Sequence, residues 1–103
     1  MRLTEAQKSI IKSLVREQFG ADASVRLFGS RIDDSKKGGD YDFFVETSLD
    51  QADEIIQRKI ALIVALQSSP SFEDEKIDLI VKRRHSSFDM PIYAVATEAG
   101  VLL

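Results

Sequence analysis

Two short apolar runs, YDFFVE (41–46) and KIDLIV (76–81), stand on either side of a long segment whose hydrophobic residues recur at helical intervals. This strand, helix, strand order constrains the chain more than any other feature. Two strands joined through a long helix, if they are neighbours in one sheet, run parallel through a right-handed crossover. In the helical segment Ala52, Ile55, Ile56, Ile60, Ile63, Val64 and Leu66 supply the apolar side. Ser48 with Gln51 has capping-box spacing ahead of it, and Ser68-Ser69-Pro70 stops it.

Upstream, Thr4-Glu5-Ala6-Gln7 opens a second helical pattern through Ala6, Ile10, Ile11, Leu14, Val15 and Phe19, with Gly20 as its stop. SVRLF (24–28) is rich in strand formers and ends at Gly29. Residues 31–39 lack periodicity and read as a loop or short helical turn. PIYAVATEAG (91–100) reads as a last helix, opened by a proline and closed by a glycine. The predicted class is therefore α/β or α+β, a small mixed sheet of at least three strands flanked by helices. The loop between the first two strands is too long to fix their relative orientation.

A chain of 103 residues has room for one core. Its 44% hydrophobic and 30% charged residues match a globular domain. No apolar run approaches the roughly 20 residues of a membrane span, and MRLTEAQKS lacks the apolar centre of a signal peptide. Without cysteine there is no disulfide, thiolate metal site or cysteine nucleophile, and a cytoplasmic location is expected. The net charge of -3 argues against general nucleic-acid binding, which needs many Lys and Arg contacts to phosphate.

Carboxylates stand out within this frame. Asp78 interrupts a strand that otherwise reads as buried on both faces, where a carboxylate needs a partner. Asp40 and Asp42 are two apart at the mouth of the YDFFVE strand, so they share a face with Phe44, about 7 Å apart along the backbone. Taken singly, Asp40 fits a turn residue behind Gly38-Gly39, Asp42 the solvent face of an edge strand, and Asp78 a partner of a lysine or a helix N-terminus. Together the three can converge on a hard divalent cation, and magnesium fits because it is held by a few carboxylates together with substrate phosphates. Gly29-Ser30 directly after a strand allows close backbone approach to a phosphate, and Arg31 adds a guanidinium of matching geometry. Lys36 and Lys37 read as solvated, as does the single histidine, His85, in KRRHSSF. Lys82, Arg83 and Arg84 are explained equally by contacts to RNA or triphosphate and by a polar strand end.

Gly29-Ser30, nine intervening residues, Asp40-Tyr41-Asp42 followed by apolar residues, and a later isolated Asp78 in an apolar strand resemble the signature of the DNA polymerase beta nucleotidyltransferase superfamily. The short length, the GSR start and the closing EAGVLL are similar to the minimal nucleotidyltransferases, antitoxins to HEPN-domain toxins. The chain departs from that group in carrying Asp33 where a second arginine is common, and Gly39 where serine or threonine often precedes the first aspartate. The resemblance implies a single minimal nucleotidyltransferase domain over 1–103 that transfers AMP from ATP to a hydroxyl, releasing pyrophosphate. It implies Asp40, Asp42 and Asp78 as catalytic ligands of two Mg2+ ions, and Gly29, Ser30 and Arg31 as nucleotide-binding residues. The acceptor it implies is a tyrosine of a HEPN ribonuclease toxin, in a hetero-oligomer with that toxin. Two alternatives stay open: an antitoxin that neutralises by binding alone, and a nucleotidyltransferase acting on a small molecule or an RNA end.

Overall fold

The computed structural model describes residues 3–29 and 41–103. The elements run α1 (Glu5–Phe19), β1 (Ser24–Phe28), β2 (Tyr41–Thr47), α2 (Ala52–Gln67), β3 (Ile77–Arg83), α3 (Pro91–Ala99) and β4 (Val101–Leu102). They build a mixed four-stranded sheet in the order β3-β2-β1-β4. β2 and β3 are parallel, as the intervening helix requires, and β1 is antiparallel to both β2 and β4. The orientation of β1, open from sequence, is settled by the register Phe28↔Asp42 through Ser24↔Glu46.

Alternation divides the sheet into two faces. Val25, Leu27, Tyr41, Phe43, Val45 and Leu79 join Ile11, Val15 and Phe19 of α1 and Ile55, Leu62 and Leu66 of α2 in the main core. Phe28 and Phe44 turn the other way and pack with Tyr93 and Ala96 of α3. Two helices thus cover one face and a single short helix covers part of the other.

Local signals explain the helix ends. Thr4 caps α1 with a full capping box, its Oγ1 accepting from the Gln7 N–H while the Thr4 N–H donates to Gln7 Oε1, each at 3.0 Å. Gly20, at φ 108°, ends it. Pro91 opens α3 and Gly100 closes it. The proposed Ser48–Gln51 capping box does not form. Gln51 is the N-cap and makes no side-chain cap bond, while Ser48 Oγ donates to Asp22 Oδ1 at 3.2 Å. The serine is held by the turn before β1, so it is three residues too early to serve the helix.

Two further expectations are corrected, and a fourth strand joins the at least three expected. The core side of α2 is Ile55, Leu62 and Leu66, whereas Ile56, Ile60 and Val64 are each 58% exposed. The apolar set was wider than the stripe that one sheet can cover. β3 is not buried on both faces: it is an edge strand among the described residues, and Asp78 is exposed. β4 was missed because two residues after a glycine carry no periodicity, and Val101 and Leu102 join the sheet only by pairing with β1.

Buried polar groups tie the layers together. Thr47 is fully buried, its Oγ1 donating to the Phe19 carbonyl at 2.7 Å and accepting from the Leu49 N–H at 3.1 Å. Thr47→Val keeps the shape but leaves both backbone groups without this partner. It is expected to cost about 1–3 kcal/mol, read as a lower urea midpoint with an unchanged slope.

Candidate active site

Asp42 is the second residue of β2 and Asp78 the second of β3, and the parallel register makes them direct neighbours. Adjacent strands lie about 4.8 Å apart, so the two carboxylates leave the same face side by side. Asp42 is half-buried and Asp78 exposed. The register is fixed at this end by the Tyr41 N–H, which donates to the Lys76 carbonyl at 2.9 Å.

The orientation of Asp42 is set from the opposite face. Its neighbours Tyr41 and Phe43 stack with ring centroids 6.1 Å apart, and the Phe72 ring stands edge-on to both. Gln7 Nε2 donates to the Tyr41 hydroxyl at 3.0 Å and to the Ser71 carbonyl at 2.9 Å. With 41 and 43 locked into the core, residue 42 has to project toward the α3 side.

Gly29 follows β1 directly and has φ 80°, a region that side chains rarely adopt. A β-carbon built on it would collide with the Asp42 carboxylate, lying 3.2 Å even from Cγ. Only glycine leaves room for backbone and carboxylate to approach this closely. Phe28, the register partner of Asp42, and Phe44 form an apolar floor beside the acids, backed by Tyr93 and Ala96.

Of the six predicted site residues, the structure brings together Gly29, Asp42 and Asp78. Ser30, Arg31 and Asp40 lie outside the described residues, as do Lys36 and Lys37. Among the described residues no three metal-ligating side chains gather. Two carboxylates on one face, with a glycine clearing space against one of them, nonetheless fit a hard cation, which would relieve their mutual repulsion.

The two arginines at the end of β3 serve the fold. Arg83 Nη1 donates to the Asp50 carbonyl at 3.2 Å. Arg84 meets the Asp22 carboxylate at 3.4 Å and donates to the Asp22 carbonyl at 3.0 Å. His85 is exposed, as a solvated loop residue should be.

Sequence reasoning did not find Phe28 as part of this site, although the alternation in β2 already placed Phe44 there. Finding Phe28 required the register of β1 against β2. The chain matches no protein-family model and no curated protein, so what the site can do is read from its own residues.

Proposed function

We propose that the chain is a metal-dependent nucleotidyltransferase that moves AMP from ATP to a hydroxyl, with a tyrosine of a HEPN ribonuclease as the acceptor and inhibition of that toxin as the outcome. The observation that carries the reading is the Asp42–Asp78 pair in register on one sheet face, with Gly29 pressed against Asp42. The sequence resemblance supplies the acceptor and the partner.

In this reading Asp40, Asp42 and Asp78 would hold magnesium. Bound there, the metal supplies charge stabilisation on the entering and leaving oxygens of phosphoryl chemistry. Gly29 leaves its backbone open to the triphosphate, with Ser30 and Arg31 following. Asp78, the more exposed of the two carboxylates, would also take the proton of the acceptor hydroxyl. The new bond joins the acceptor oxygen to the α-phosphorus, the bond to the bridging oxygen breaks, and pyrophosphate leaves.

The test is incubation of the purified chain with ATP labelled in the adenine, magnesium and the HEPN-type chain from the neighbouring reading frame. The expected result is one or more AMP groups on a partner tyrosine, found by intact mass and peptide mapping. Absence of transfer in the presence of a folded complex overturns the catalytic reading. Full protection by a folded Asp40, Asp42 and Asp78 triple alanine variant replaces it with neutralisation by binding.

A further inference from the structure

The exposed edge of β3 is self-complementary, and we infer that the chain forms a two-fold symmetric dimer by pairing β3 antiparallel with β3 of a second copy. This inference rests on strand parity and surface chemistry and does not depend on nucleotidyl transfer. The carbonyl of Lys76 accepts from Tyr41 and the N–H of Arg84 donates to Thr47, so the even-numbered residues of β3 turn their backbone groups toward β2. The odd-numbered residues Ile77, Leu79, Val81 and Arg83 therefore turn theirs outward. Among the described residues no strand pairs with that edge.

At the end of the strand the Arg83 carbonyl accepts from the Ser86 N–H at 3.2 Å, so the outward groups of Ile77, Leu79 and Val81 are the template for another strand. Centred on Ile80, an antiparallel pair sets Leu79 against Val81 in the hydrogen-bonded positions, twice by symmetry, and Ile77 opposite Arg83, whose carbonyl stays with Ser86. Asp78 then meets Lys82 in the close, non-hydrogen-bonded positions, twice by symmetry. Neither Asp78 nor Lys82 forms an ion pair among the described residues. Sliding the register by two residues sets Asp78 against Ile80, or Ile80 against Lys82, so charge complementarity selects the centred register.

The same operation preserves the faces of the sheet and brings α2 of the two copies alongside each other. Ile56 lines a groove with Val81 and Arg83 of β3, and Ile56, Ile60 and Val64 are each 58% exposed at successive turns of α2. In an antiparallel pair of helices this stripe meets itself. The dimer would also bring Lys82 of the second copy to the rim of the Asp42–Asp78 pair.

Charge reversal tests the register. By sedimentation equilibrium the parent chain is expected to be dimeric. Asp78→Lys and Lys82→Asp each place like charges opposite one another and are expected to raise the dissociation constant by roughly tenfold or more. Mixing these two variants restores both opposite-charge pairs and should restore the dimer. Val81→Pro removes an outward N–H that β2 does not use, and should yield a folded monomer by circular dichroism. A monomeric parent at 100-fold the concentration of the assay, or single variants that dimerise as tightly as the parent, overturns the inference.

Discussion

Asp42→Asn is expected to lower the rate of AMP transfer by about 100- to 1000-fold while leaving the fold intact. The size follows from the charge stabilisation of several kcal/mol that a carboxylate-held metal gives, at roughly 1.4 kcal/mol per factor of ten. Asparagine matches aspartate in shape, so Tyr41 and Phe43 stay locked on the other face and the backbone of β2 is undisturbed. The two readouts separate the roles: a structural aspartate would lose stability and keep its rate, whereas a metal ligand loses rate and keeps its stability. The measurement is single-turnover transfer over a magnesium titration, beside thermal melts of both proteins. Undiminished transfer by the variant removes Asp42 from the catalytic assignment.

The fold was legible because its strongest signals are local and periodic. The capping box at Thr4, the strand alternation in YDFFVE and the Pro91 and Gly100 helix boundaries each carry their cause in neighbouring residues. The long helix between β2 and β3 made the parallel pair readable as well. The position of each strand within the sheet was not legible. Nothing near Asp78 says that its strand lies at an edge, and IDLIV reads as a central strand because an edge covered on one face also favours apolar residues. The exposed stripe on α2 has the same origin: periodicity marks an apolar side but not how much of it a four-stranded sheet can cover. For the site, alternation placed Asp42 and Phe44 on a shared face, while the alignment of Asp42 with Asp78 and the contact with Gly29 exist only through strand register.

Gly29→Ala tests that contact, and it should be costly for two separable reasons. At φ 80° a β-carbon is strained by about 1–2 kcal/mol wherever it points. The same carbon would also collide with the Asp42 carboxylate, and forcing it in costs about 1–3 kcal/mol through displacement of that side chain. The combined loss of roughly 2–5 kcal/mol lowers the thermal midpoint by roughly 4–8 °C per kcal/mol in a domain of this size. Transfer should fall as well, because the displaced carboxylate is no longer aligned with Asp78. A double-mutant cycle divides the two terms. In an Asp42→Ala background the carboxylate is absent, and Gly29→Ala should then cost only the backbone strain of about 1–2 kcal/mol. The difference between the backgrounds, measured by urea unfolding, is the energy of the close approach. Equal costs in the two backgrounds would mean that Gly29 is required for its backbone alone, and that the carboxylate has freedom to leave the position in which it faces Asp78.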